Sequence, residues 1–391
     1  MEKYYKLIRE SLETGREKPK TGLYLHYPFC RSKCAYCHFS SVIFEPALHR
    51  KWLSAIEREI EQVAAHLADY LVIDTIYFGG GSPSLLAPEE IMSLLLAVEQ
   101  NLSAGPEEVT LEVNLAAEPD RVRGWLQTGV TRLSFGAQSF DPVVLEILGR
   151  HYRPEQIVRL AEEAGHGSAR NINLDLMIGV PGESRKTLEA NLQALCQIQA
   201  DHVSVYLLEE LEKLTFRKVW EENPLSDEEV AETYDHYRLK LEEMGWSQYE
   251  ISNFSRPGFE CRHNLKYWRY EPFLGLGPSA SSHLGSFRWT NPATLGEWEA
   301  AINSGQLELP EFIELTPEAE LRESLAFGLR LKEGLSWEDW RRKFPALDFS
   351  HLETKLSGLA AAGLLNFQDG WICVPPKNFL VSNYILSELL W

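Results

Sequence analysis

From residue 21 onward, short β-rich runs alternate with stretches that are apolar at helical spacing, the pattern of βαβ units built on a parallel sheet. Six runs read as strands: Leu23–His26, Thr75–Phe78, Val109–Val113, Arg132–Gly136, Asn171–Met177 and His202–Tyr206. Between the first two, Leu48, Trp52, Ile56, Ile60, Val63 and Leu67 keep one face apolar, while Glu57, Arg58, Glu59 and Glu61 lie mostly off it. That spacing predicts a helix whose stripe belongs to the core.

The unusual polar residues fall at or just beyond the carboxyl ends of these strands. The first leads into HYPFCRSKCAYCHF, the second into Gly79-Gly80-Gly81-Ser82-Pro83, the third into Glu112 and Asn114, the fourth into Gln138 and Ser139, and the fifth carries Asp175 near its end. In a (β/α) barrel this is the end on which active sites are built. The expectation is therefore an α/β fold whose one mouth collects the chemistry.

The texture changes near residue 316. Thr316-Pro317 reads as an N-cap with proline in the first turn, and SWED (336–339) and SHLE (350–353) read as capping boxes that each start a helix. Gly363 ends the third helix, and Asp369-Gly370 between two short apolar runs reads as a hairpin turn. Helices followed by a small hairpin predict a winged-helix-like module. It carries fewer basic than acidic residues, so packing or a lid role is expected rather than DNA binding. The resulting division is an N-terminal extension (1–20), a barrel core (21–210), an irregular aromatic-rich extension (211–315) and a C-terminal helical domain (316–391).

Composition narrows the class. A chain of 391 residues with 44% hydrophobic residues can bury a large core, and its formal charge of -19 argues against a nucleic-acid partner. No apolar run is long enough to span a bilayer, and the charged start MEKYYKLIRESLETGREKPK does not read as a secretory leader, which points to the cytoplasm. Of six cysteines, Cys30, Cys34 and Cys37 fall within eight positions. Disulfide pairing would leave one of them over, and a closed zinc site wants four ligands. Three thiolates on one short loop suit an iron–sulfur cubane with one iron left open for chemistry. Cys196 and Cys373 are expected as small buried residues.

CxxxCxxC after a strand, preceded by Tyr24 and His26, resembles the radical S-adenosylmethionine (SAM) enzymes. YLHYPFC, YFGGGSPS, LEVN, RLSFGAQSFD, LGRHYRP, NLDLMIGVPG, YEISNF, RHNLKYW and the TN at 290–291 are similar, in order, to the oxygen-independent coproporphyrinogen oxidase (HemN) superfamily, over nearly the whole chain. The resemblance implies a partial (β/α)6 TIM-like radical SAM barrel with a HemN-type C-terminal domain. It also implies a [4Fe–4S] cluster on Cys30, Cys34 and Cys37, and SAM held near Tyr24, Gly80, Gly81, Ser82, Glu112, Gln138, Arg150 and Asp175. The chemistry implied is one-electron cleavage of SAM to a 5′-deoxyadenosyl radical, fed by an electron donor such as flavodoxin or ferredoxin.

One departure bears on the branch. Coproporphyrinogen oxidases carry a fourth cysteine two positions after the third, where this chain has Phe39. An aromatic there, together with the string His263-Asn264-Leu265-Lys266-Tyr267-Trp268, resembles the HemW-like haem-chaperone branch, which implies haem as ligand and an acceptor protein as partner. His263 is a candidate axial ligand with Cys261 as its rival, and Tyr267 and Trp268 are candidates to stack on a porphyrin. The bland reading of the same residues is a polar cap on an aromatic cluster. The enzyme alternatives are a radical decarboxylase of coproporphyrinogen III or another radical SAM enzyme such as a methyltransferase.

Overall fold

The computed structural model describes the chain except residues 1, 14–16, 35, 38–40, 115–118, 167–170, 209–220, 222–223, 306–308, 310 and 391. All six expected strands are present, each somewhat longer at its ends: β1 (Lys20–Tyr27), β2 (Val72–Gly80), β3 (Ala104–Val113), β4 (Arg132–Gln138), β5 (Asn171–Ile178) and β6 (His202–Leu207). They pair in parallel in chain order, with helices in the crossovers. Helix Pro46–Leu67 buries Trp52, Ile56, Ile60, Val63 and Leu67 of the stripe read from the sequence, with Leu48 only partly buried, and it also buries Glu59, which the spacing set off that face.

The irregular stretch after β6 adds strands to both edges. Ser247–Gln248 (β7) and Asn253–Ser255 (β8) continue the sheet beyond β6, and Phe273–Leu276 (β9) lies parallel to β1 on the opposite edge. Ser281–Leu284 (β10), Phe287–Thr290 (β11) and Ile313–Glu314 (β12) follow it as an antiparallel ribbon. The order is β12-β11-β10-β9-β1-β2-β3-β4-β5-β6-β8-β7, an open sheet of seven parallel strands with antiparallel margins.

Register explains what each face does. Leu23, Leu25, Ile76, Phe78, Val109, Leu111, Leu133, Phe135, Leu174, Leu176, Val203 and Val205 alternate onto one face and are buried in the main core. The intervening positions are Tyr24, Tyr77, Thr110, Glu112, Arg132, Ser134, Asn173, Asp175, His202 and Ser204, most of them buried although polar. A parallel sheet covered on both faces normally reads as continuous apolar runs. Here the period-2 polar row lines a lumen, and its members bond to one another.

The N-terminal extension holds a helix, Glu2–Leu12, that the sequence reading left without structure. It buries Tyr5 and Ile8 against the main core. A second apolar core runs from Leu325 to Leu389, around Trp337, Trp340, Phe349, Leu356 and Ile372. There Thr316 caps helix Pro317–Gly328 by accepting from the Ala319 N–H, and Ser336 caps helix Trp337–Lys343 through the Asp339 N–H. Helix Ser350–Ala361 departs from its expected start: Phe349 occupies the cap, because the Asp348 carboxylate accepts from both the Ser350 N–H and its hydroxyl. Asp369 and Gly370 both adopt positive φ (52° and 77°) between antiparallel Asn366–Gln368 and Trp371–Cys373, as a two-residue hairpin requires. Among the described residues no helix is long and apolar enough to cross a membrane. Cys196 is exposed rather than buried, on the outer face of helix Arg185–Ile198, and Cys373 is half-buried.

Candidate functional site

The cysteine loop sits at the carboxyl end of β1. Phe29–Cys30 forms a two-residue strand paired in parallel with Val42–Ile43, which anchors the loop's first thiol. Cys30, Cys34 and Cys37 are half-buried thiols, and the Cys37 N–H donates to the Cys34 carbonyl at 3.2 Å. The Ser82 hydroxyl donates to Cys30 Sγ at 3.6 Å and itself accepts from Asn114 Nδ2 at 3.2 Å. Phe39, the residue at the fourth-cysteine position, lies outside the described residues, as does its neighbour His38.

Tyr36, inside the cysteine run, ties this loop to the far side of the mouth. Its hydroxyl accepts from Arg150 Nε at 3.2 Å and Nη2 at 2.6 Å, and the guanidinium also lies over the Tyr36 and Tyr152 rings. Tyr152 donates in turn to the carbonyls of Gly136 and Ala137, at 3.2 and 2.6 Å. Those carbonyls sit in the register shift between β4 and β5. Immediately after it Gln138 takes φ 62°, a left-handed conformation that a non-glycine residue holds at a cost and that concentrates at functional sites.

The glycine triplet is packed against the approach to the cysteines. The Gly81 N–H donates to Tyr27 O at 2.7 Å, the Ser82 N–H to Phe29 O at 2.8 Å, and the Gly80 N–H to Glu112 Oε2 at 3.2 Å. A Cβ on Gly81 would stand 2.6 Å from Phe29 O, and one on Gly80, whose φ is 113°, 2.6 Å from the His26 ring. The donors of this turn are therefore spent within the chain, and acceptor character is what it can still offer a ligand.

Behind the turn lies the polar lumen. Tyr77 donates to Glu112 Oε1 at 2.9 Å, and Tyr24 stacks on Tyr77 and bonds His26 Nδ1 at 3.1 Å. Asp175 accepts from the Ser134 hydroxyl at 3.2 Å and Asn173 Nδ2 at 2.8 Å. Burial, with Asp175 as the next cause, pushes Glu112 up to about 7, and burial likewise raises Asp175. Tyr24, Gly80, Gly81, Ser82, Glu112 and Asp175 thus line one path from the lumen to the cysteine loop, with Gln138 and Arg150 beside Gly136 on its wall. Tyr36, Ser134 and Asn173 belong to the same constellation and were missed. Their signal was there, in an aromatic placed between two cysteines and in the period-2 polar row of β4 and β5.

The haem candidates lie at the other end. Helix Arg262–Trp268 closes the lumen at the amino ends of the strands, where the Glu108 carboxylate accepts from the Arg262 and His263 N–H groups, each at 3.1 Å. His263 is 1% exposed, its Nδ1 bonded to the Thr75 hydroxyl at 2.9 Å and its Nε2 to the Tyr267 hydroxyl at 2.8 Å. Cys261 is fully buried against Glu108, and burial pushes its thiol up to about 12. Trp268 packs on Phe327 under Arg330. In this arrangement neither His263 nor Cys261 offers a free ligand atom. The four residues form a plug across the lumen from the cysteines.

The donor set fits an iron–sulfur cluster chemically: three thiols on one loop, a hydroxyl directed at one of them, and a row of polar side chains behind it. Among the described residues no three His, Cys, Asp or Glu side chains are already drawn together as a metal site.

The family model of the Radical SAM superfamily matches residues 24–195, and that of the HemN C-terminal domain matches residues 315–381. The chain is 30% identical to Heme chaperone HemW of Bacillus subtilis, covering 94% of this chain and 98% of that protein. It is 34% identical to Heme chaperone HemW of Mycobacterium tuberculosis, over 94% of each. A mitochondrial protein of Danio rerio, radical S-adenosyl methionine domain-containing protein 1, is 32% identical over 87% of this chain and 79% of its own length. Coproporphyrinogen III oxidase (HemN) of Escherichia coli has the same fold, with a TM-score of 0.86 at 22% identity over 98% of this chain and 93% of that one. Radical SAM membership implies a [4Fe–4S] cluster and SAM. The chain belongs to the HemW family of the radical SAM superfamily.

Proposed function

We propose that this protein is a haem chaperone that carries haem to an acceptor protein, with Cys30, Cys34 and Cys37 holding a [4Fe–4S] cluster and SAM bound between the glycine turn and the lumen. Bound at three thiolates, the cluster supplies one-electron chemistry at an iron the protein leaves open. The chain's own residues orient and shield. The acceptor-only character of the Gly79–Ser82 turn suits the ammonium of SAM's methionine end, while Glu112 and Asp175 suit hydroxyl or ammonium donors. Tyr24 supplies an aromatic face.

The single observation that carries the chaperone reading is the likeness over nearly full length to proteins named for haem delivery. The mouth supports it. Tyr206 (40% exposed) and Leu207 (36%), at the carboxyl end of β6, present apolar surface at the end of the sheet that carries the cysteine loop. A flat, amphipathic macrocycle is matched by such a rim, its apolar face on these side chains and its propionates in water. Since His263 and Cys261 are committed to the plug, the proposed haem site is the mouth and not the HNxxYW helix. Anaerobically reconstituted protein titrated with hemin tests the reading: a saturable Soret shift at one haem per chain is expected. Absence of that shift, with SAM-dependent loss of propionates from coproporphyrinogen III, would favour the decarboxylase.

A further inference from the structure

We propose that Ser82 raises the reduction potential of the cluster by donating its hydroxyl proton to the Cys30 thiolate, and that Asn114 holds the hydroxyl in that direction. The proposal rests on the reading of the cysteine triad as a cluster site. Ser82 occupies the N-cap of the short helical turn Pro83–Leu85. A serine in that place ordinarily turns its oxygen back onto an N–H of the first turn. Here the side chain makes no cap bond. Its hydroxyl donates instead to Cys30 Sγ at 3.6 Å, across a backbone pair in which the Ser82 N–H meets Phe29 O at 2.8 Å. On binding iron that sulfur becomes a thiolate, a stronger acceptor than the thiol.

The surroundings fix the direction of the proton. Asn114 Nδ2 donates to Ser82 Oγ at 3.2 Å, which occupies a lone pair and leaves the hydroxyl's own proton to face the sulfur. Asn114 is seated in turn at the end of β3, where its N–H donates to the Ser84 hydroxyl at 2.9 Å. Ser82 is 3% exposed, so water competes little, and the chain from amide to hydroxyl to sulfur is polarised one way. Hydrogen bonds to the sulfurs are among the levers that set a cluster's potential. The reduced cluster carries one more negative charge than the oxidised one, so a donor on its sulfur favours reduction. In that step one electron enters the cluster from a one-electron reductant, which is oxidised by one. No bond forms or breaks, and the proton stays on Ser82. This gives Ser82 a task distinct from contact with SAM.

The test is a redox titration of anaerobically reconstituted full-length protein without SAM, with dithionite as reductant and EPR of the reduced cluster as readout. Ser82→Ala should shift the one-electron equilibrium about tenfold toward the oxidised form, a fall of about 59 mV in midpoint. Asn114→Leu leaves the hydroxyl in place but releases its rotor, and should shift the equilibrium the same way by roughly two- to threefold. Ser82→Thr restores the hydroxyl and should titrate like the parent. Iron content should match the parent protein in all three. A parental midpoint in Ser82→Ala would overturn the proposal, as would an equal fall in Ser82→Thr, which would mean that packing and not the proton had been lost. If Ser82→Ala retains no iron, Asn114→Leu decides, and a parental midpoint there overturns the proposal. A parent protein that takes up no iron overturns the cluster reading instead, and the iron assay separates the two failures.

Discussion

The Arg150 guanidinium clasps the Tyr36 hydroxyl through two nitrogens and stacks between Tyr36 and Tyr152, so that the segment between Cys34 and Cys37 is held by the loop after β4. Charge-assisted hydrogen bonds of this kind contribute roughly 1.5–3 kcal/mol, and a planar fork stacked between rings is not replaced by a lysine. Tyr36→Phe and Arg150→Lys should each lower iron retention after anaerobic desalting roughly tenfold or more, and broaden the EPR signal of the reduced cluster. The double variant should be little worse than either single one. Additive losses would show that the two residues act separately.

Gly81 is required by a contact and not by its dihedral angles. An alanine there places Cβ 2.6 Å from Phe29 O, a backbone atom one residue before Cys30, so the strand feeding the cysteine loop must shift. Gly81→Ala should cost roughly 1–3 kcal/mol in thermal unfolding and reduce iron uptake. Gly105→Ala, where a Cβ meets nothing within 4 Å, should change neither. Equal melting curves for the two variants would contradict the packing argument.

A buried carboxylate on helix Pro46–Leu67 sets a pH dependence. Glu59 accepts from Gly277 N at 2.8 Å, Asn291 Nδ2 at 2.8 Å and Trp298 Nε1 at 3.1 Å, which joins helix Pro46–Leu67 to β9 and β11 and accounts for the TN pair noted in the sequence. Burial pushes its pKa up to about 7 from 4.5 against the pull of those donors. The folded state therefore holds a proton that the unfolded chain releases between these values, and the favourable contribution, full below about 4.5, is lost as pH rises through about 7. Glu183 and Glu250 shift in the same direction, to about 7. Scanning calorimetry of the metal-free protein should give a Tm that falls between about pH 4.5 and pH 7, with a shallower slope in Glu59→Gln. An unchanged slope would remove Glu59 from the account.

His263 is assigned to stability. Burial drives its pKa down to about 3, so the ring is neutral, and both nitrogens are bonded inside the plug. His263→Ala should cost on the order of 2–4 kcal/mol and leave the hemin stoichiometry of the folded protein unchanged. Loss of hemin binding in a variant that melts like the parent would restore the ligand reading.

The parallel strands and the carboxyl-end clustering of Glu112, Gln138 and Asp175 were legible because period and strand order are local properties of the chain. Three kinds of feature were not. Phe273–Leu276 is too short and too glycine-flanked to announce a seventh parallel strand, and only its long-range pairing with β1 makes it one. The left-handed backbone of Gln138 follows from a register shift between β4 and β5 that no side chain signals. The run Cys261–Trp268 spells cysteine, histidine and aromatics within eight positions, an inventory shared by a haem pocket and a lumen plug. Which of the two it becomes depends on Glu108 and Thr75, contributed by strands far away in sequence.

The central claim is an iron left open by three cysteines, facing a pocket shaped for SAM. EPR of the anaerobically reconstituted, reduced protein, recorded before and after SAM is added, tests it most directly. The account predicts about four irons per chain and a spectrum that changes with SAM, the response being lost in Gly81→Ala. A spectrum that SAM leaves unaltered in fully loaded protein would contradict it.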